Sequence, residues 1–200
     1  LSGGTASVAG TFAFASPTYQ PNAGTYAAEV VFTPSNDALY NTTSTTVNVV
    51  VHKATPTITT PPTASAIIYG QTLAASILSG GSASVPGSFA FTNPATVLNA
   101  GVHPSVGVVF TPTDTSNYNT VALTVSVTVN KATPVIITWP TAANITYGQT
   151  LADATLTGGT ASVAGSFAFT SPATVPEVGT AQYEVTFTPT DTANYNTTTG

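Results

Sequence analysis

Charge is what this chain has least of: Asp, Glu, Lys and Arg make up 4% of its 200 residues, against about a quarter in ordinary soluble proteins. Lys53 and Lys131 are the only Lys or Arg side chains, with two His beside them. A surface that tracks phosphates cannot be assembled from so little, so nucleic acid is excluded as a partner and anionic lipid headgroups have nothing to bind. Cys is absent, which removes disulfides and thiolate metal sites, and with Met absent too there is little for oxidants to attack. No apolar run approaches the roughly 20 residues of a membrane-spanning helix. The sequence therefore predicts no membrane insertion in this segment, and no signal peptide is recognisable. These absences suit an exposed extracellular location on a bacterium.

Thr fills the space that charge leaves, with 41 copies. It is β-branched and favours pleated strands, and its hydroxyl keeps a solvent-facing side wet without charge. With 42% hydrophobic residues the chain can build real cores, and an all-β fold is the natural expectation.

The order of the chain comes from self-similarity. "KATP" begins at Lys53 and again at Lys131, and "YGQTL" begins at Tyr69 and Tyr147, both a step of 78. "SGGTASVAGTFAF", "SGGSASVPGSFAF" and "TGGTASVAGSFAF" begin at Ser2, Ser79 and Thr157. "FTPSNDALYN", "FTPTDTSNYN" and "FTPTDTANYN" begin at Phe32, Phe110 and Phe187. The expected organisation is an incomplete copy at 1–52 that lacks its N-terminal strands, a complete copy at 53–130, and a copy at 131–200 that lacks its last strand. Such a phase is expected of an excerpt from a longer array.

Within the complete copy, Val121, Leu123, Val125, Val127 and Val129 alternate with polar or small residues, the signature of a half-buried strand. Val106, Val108 and Phe110 repeat the period, as do Phe89 and Phe91. Gly and Pro punctuate the gaps, and no helical periodicity of useful length is present. Six or seven short strands in about 78 residues predict a small β-sandwich of immunoglobulin type, with a β-grasp-like module as the alternative. "TVSVTVNKATPVIIT" passes from one copy to the next with no Gly/Ser-rich interval, so the modules are expected to stack end to end as a rod.

The ordered set "KATP", "YGQTL", "GSFAF" and "FTPTDTANYN" resembles the MBG module of YGX type, a bacterial immunoglobulin-like repeat of large surface and adhesin proteins. The resemblance covers the whole chain. It implies an extracellular stalk, adhesin shaft or matrix protein, and the family supplies no catalytic residues to carry over.

The repeated turn is the best candidate site, because it gathers Asp, Asn and Tyr three times. Asp114 and Asp191 occupy a position where the first copy has Asn36. An amide cannot act as a general base, but Asn and Asp both accept hydrogen bonds from turn backbone, so the position asks for an acceptor oxygen. Tyr40, Tyr118 and Tyr195 then correspond to the tyrosine corner of immunoglobulin-like sandwiches, whose hydroxyl ties a crossover to the main chain. One or two carboxylates are too few for a tight calcium cage. Glu29 and Glu184 are matched by Gly107 in the middle copy and read as solvent-facing. His52 and His103 are unmatched, which disfavours a metal-ligand pair. "SGGTASVAG" lacks the Lys and helix of a phosphate-binding loop and reads as a hairpin loop with positive-φ glycines. Lys53, Pro56, Lys131, Pro134 and Trp139 fall at the joins between copies, where Trp139 is expected to pack between modules. Asn41, Asn144 and Asn196 head glycosylation sequons.

No cofactor, metal or catalytic residue is expected. The expected function is a structural spacer whose partners are neighbouring repeats, with lateral self-association into fibres or sheets possible because Thr-rich edges carry almost no protective Lys. The alternative is a carbohydrate- or partner-binding adhesin module. A glycoside hydrolase would need a recurring carboxylate pair that the copies do not provide.

Overall fold

The computed structural model describes residues 1–200 and is all-β, built of several small sheets. The chain divides into two compact units. One holds Leu1–Thr59, Ala83–Ser88 and Phe110–Val121, and the other holds Thr60–Ser82, Phe89–Val109 and Ala122–Gly200.

In the first unit, β1 (Gly10–Phe14), β2 (Gly24–Pro34) and β3 (Thr43–Val51) form an antiparallel sheet in that order. Phe12 lies opposite Phe32 and their rings sit 4.9 Å apart. Val30, Phe32 and Pro34 are the buried residues of β2, and Glu29, just before Val30, is exposed, as the alternation requires.

The second unit carries the main core. The strands of the middle copy are β4 (Ile58–Ala64), β5 (Ile67–Ile68), β6 (Leu78–Ala83), β7 (Gly87–Phe91), β8 (Gly101–Pro112) and β9 (Val121–Asn130). β5, β9, β8 and β7 form one sheet in that order, with β5 parallel to β9 through Ile67 opposite Val129, and β4 pairs with β6 in a second sheet. Val125, Val127 and Val129 of β9, Val108 of β8, Phe91 of β7, Ile67 of β5 and Leu73 make one buried cluster, against which Leu78 of β6 and Ala64 of β4 pack. Side chains of both sheets thus meet in one interior, an arrangement compatible with a sandwich. Leu73 is fixed there by a short 3-10 turn, Leu73–Ala75, whose entry Gln71 shapes by accepting the Ile68 N–H at 2.8 Å. Gln149 does the same for Thr146 at 2.6 Å.

One sequence expectation changes here. The Gly-rich run of the middle copy is a strand, β6, rather than a hairpin loop, bonded from Ile77 to Ser65 at one end and from Ser84 to Thr57 at the other. Its glycines do take positive φ, 66° at Gly80 and 82° at Gly81. Glycine accepts this left-handed backbone without the steric cost that another residue would meet, so the strand runs through both positions.

In the third copy the same second unit holds β10 (Ile136–Thr138), β11 (Thr141–Ala142), β12 (Leu156–Thr157), β13 (Thr160–Ala161), β14 (Gly165–Phe169), β15 (Val185–Pro189) and β16 (Thr198–Thr199). Phe167 of β14 faces Phe187 of β15 with the rings 4.9 Å apart, matching the register and spacing of Phe12 and Phe32. A shared detail explains the Gly of "GTFAF" and "GSFAF". A Cβ at Gly10, Gly87 or Gly165 would collide with the ring of Phe32, Phe110 or Phe187 respectively. The end of the aromatic ring and a neighbouring carbonyl oxygen occupy the space a Cβ would need, so the position accepts no side chain.

Candidate functional site

The repeated turn stands on that aromatic platform. In each copy the strand that carries the buried Phe ends at a buried Pro, Pro34, Pro112 or Pro189. The next residue donates its N–H back across the sheet: Ser35 to Ala9, Thr113 to Pro86 and Thr190 to Ala164, each at 2.9 Å. The chain then closes a five-residue turn. Tyr40 N–H donates to the Asn36 carbonyl at 3.2 Å, and Tyr118 and Tyr195 donate to the Asp114 and Asp191 carbonyls at 3.1 Å.

The carboxylates work inside the turn. Asp114 Oδ1 accepts from the Ser116 and Asn117 N–H groups at 3.1 and 3.2 Å, and Oδ2 accepts from Asn117 Nδ2 at 2.7 Å. Asp191 accepts from the Asn194 N–H at 3.2 Å and from Asn194 Nδ2 at 2.8 Å. The Asn117 amide, with help from backbone N–H groups and the Lys53 charge, holds the Asp114 carboxyl below its ordinary pKa. An anion so occupied is a structural acceptor, not a base poised to take a proton.

"KATP" is the partner of the turn in its own copy. Ala54 N–H donates to Asn117 O and Asn119 N–H donates to Ala54 O, both at 2.9 Å; Ala132 pairs with Asn194 and Asn196 in the same way, at 3.0 and 2.9 Å. Lys53 Nζ reaches the Thr115 carbonyl at 2.7 Å, and Lys131 Nζ reaches Thr192 at 2.6 Å. Pro56 and Pro134 are buried just beyond. This main-chain pairing, rather than the expected tyrosine hydroxyl, ties the turn down at Tyr118 and Tyr195. Trp139 also sits differently from the expectation. Its ring lies edge-on to Phe167 of its own copy, 5.9 Å away, rather than between modules.

Two residues that the sequence reading passed over make the joins. Asn117 Oδ1 accepts the Ala23 N–H of the preceding copy at 2.7 Å, while its Nδ2 also reaches Asn22 Oδ1 at 3.1 Å. Asn194 Oδ1 accepts the Ala100 N–H, again at 2.7 Å and again 94 residues away. The amide is required at this position. Its NH2 end must face the Asp carboxylate, which leaves its oxygen for the incoming N–H, and an Asp there would set two carboxylates together. At the second join Tyr195 adds its ring, edge-on to Tyr69 at 5.3 Å. A signal was available: Asn stands at this position in the second and third copies, beside an Asp three residues earlier, and Leu39 stands there in the first.

The remaining acidic and imidazole groups are dispersed. Glu29, Glu177 and Glu184 are exposed, Asp153 caps the 3-10 turn at Leu151 by accepting from Thr150, and His103 bonds the Asn99 carbonyl at 2.8 Å. No three His, Cys, Asp or Glu side chains gather closely enough to hold a metal ion, and no helix is long and apolar enough to cross a membrane. An open cleft of about 390 Å³ beside Leu73, Leu98 and His103 has that imidazole as its one titratable side chain, and another of about 410 Å³ along Pro140, Gly159 and Phe167 has none.

Comparison of the chain with protein-family models, with curated proteins and with solved structures gives no match.

Proposed function

We propose that this chain is a non-catalytic spacer: successive immunoglobulin-like β-sandwich modules of about 78 residues, resembling MBG repeats, in the shaft of a bacterial cell-surface or extracellular matrix protein. The observation that carries the reading is the join built twice from the same parts. In each, an Asp holds an Asn, the Asn takes a loop N–H of the preceding copy, and a Lys-Ala strand clamps the turn. The residues that sequence inspection offers as chemistry are spent on linking backbone to backbone. The absence of a flexible linker and the uncharged Thr-rich surface support the same reading, and the Thr-rich edges make lateral assembly into fibres or sheets part of it.

The test is whether the joins fix one module against the next. Residual dipolar couplings should fit one alignment frame across each join in the native chain, and the Asn117→Ala, Asn194→Ala double variant should need separate frames. Native copies that already tumble independently would sink the spacer reading.

A further inference from the structure

Tension on joined copies enters each copy at its head and leaves at its tail, so the bonds between head and tail decide what a copy withstands. In the middle copy the two are paired directly. β5 lies parallel to β9, with Ile67 opposite Val129 and Ile68 opposite Asn130, and the Tyr69 N–H donates to the Asn130 carbonyl at 2.8 Å. A pull on the copy draws β5 towards its N-terminal end and β9 towards its C-terminal end. Because the strands run the same way, these directions are opposed, and the load slides one strand along the other. Sliding lengthens every bond between the strands at once, whereas peeling loads only the bond at the open end.

Three features resist the slide. Ile67 and Val129 are buried in one cluster with Val127 and Leu73, so displacement must drag apolar side chains out of a packed interior towards water. β9 has β8 on its other side, which anchors it while β5 is pulled. Gln71 braces the end of β5: its side-chain oxygen accepts the Ile68 N–H at 2.8 Å and its own N–H donates to the Ile68 carbonyl at 3.0 Å. The head of each joined copy repeats the direction of pairing, since Ala54 bridges Tyr118 and Ala132 bridges Tyr195, both in parallel. A pull arriving through Lys53 or Lys131 is met there in shear as well.

We infer that β5 and β9 form a shear clamp, a load-bearing element that keeps the middle copy folded while the chain is under tension. The strand pairs that it comprises are few, and their direction and burial, not their number, give the resistance. The inference goes beyond the spacer reading and does not rest on it. A spacer needs fixed length without strength, so a clamp that fails leaves the joins as they are, and joins that prove flexible leave the clamp as it is.

The test is single-molecule pulling of the full chain in two directions. The chain has no Cys, so introduced thiols are the only attachment points, and folding is checked by circular dichroism. Handles at Thr57→Cys and Asn130→Cys load the head and tail of the middle copy in shear. Handles at Ala66→Cys and Thr128→Cys, immediately before the paired Ile67 and Val129, peel the same strands apart sideways. All four side chains are exposed. Forced rupture follows the unfolding barrier, so at one pulling speed the shear pair should yield at a severalfold higher force than the peel pair. The rupture should free at least the 62-residue span from Ile67 to Val129 in one step, about 210 Å at roughly 3.4 Å per residue. Equal forces in the two directions would overturn the inference. So would a shear trace that lengthens gradually, or one whose steps are all shorter than that span, because the interior would then unravel around the paired strands.

Discussion

The turn at Asp191 and the turn at Asn36 share a main-chain shape and differ in everything around it. Both close with a Tyr N–H on the carbonyl four residues back, and both stand on a Phe ring whose end meets a glycine. Around the first, Ala132 and Lys131 clamp from one side and the Ala100 loop arrives from the other, so Asn194 is only 7% exposed. The matching Leu39 is bare. The turn is therefore a local structure, set by its platform and its own backbone bonds, and its burial is a separate property conferred by neighbours. The turn at Asp114 lies between them: it has its clamp and its loop contact, but Asn117 is half-buried where Asn194 is buried.

If the platform is common to all three turns, removing it should hurt each one most. Phe187→Ala deletes a ring that is buried beneath the Asp191 turn and should cost about 3–5 kcal/mol in denaturant unfolding, with Phe32→Ala, nearer the surface, costing less. A larger loss at Phe32 would break the comparison. Next come the neighbours. Asn194→Ala strands the Ala100 N–H and should cost about 1–3 kcal/mol, with Asn117→Ala at the lower end and Leu39→Ala within about 0.5 kcal/mol of native. Amide exchange at Ala100 and Ala23 gives the local readout, and equal costs at all three sites would erase the distinction between a covered turn and a bare one. Tyr69→Leu keeps apolar bulk but removes the edge-on ring pair, and should cost about 0.5–1.5 kcal/mol at the second join while leaving exchange at Ala23 untouched. The smallest effect is electrostatic. Asp114 titrates lower folded than its ordinary value of 3.8, so its contribution to stability is complete above that value and is lost as pH falls through the folded pKa. Asp114→Asn should flatten the acid limb of the stability profile in that window and change little at neutral pH.

Much of the architecture could be read from residue order alone. The alternation from Val121 to Val129 gave the core strand, and the three "FTP" phrases gave three turns of one shape, because strand burial and tight turns are written in short windows. The exposed faces of Glu29 and Glu184 followed from the same alternation. What escaped required partners far along the chain. Nothing in "KATP" announces that its Ala pairs beside Tyr118, and nothing in "DTSN" announces that the Asn reaches Ala23. The Gly-rich run misled for a related reason: positive φ at Gly80 and Gly81 was legible, but whether such residues end a strand or lie within one depends on the strand alongside. Trp139 faced the same ambiguity, and the Phe167 ring that holds it is 28 residues away.

The oxygen that Asn117 and Asn194 offer to a backbone N–H carries no charge, and neither does the group that it receives. Dissolved ions screen attraction between charges and leave a short neutral dipole pair almost untouched. Module-to-module coupling built this way should hold equally in rainwater and in brine, a tolerance that a chain linked by ion pairs would lack.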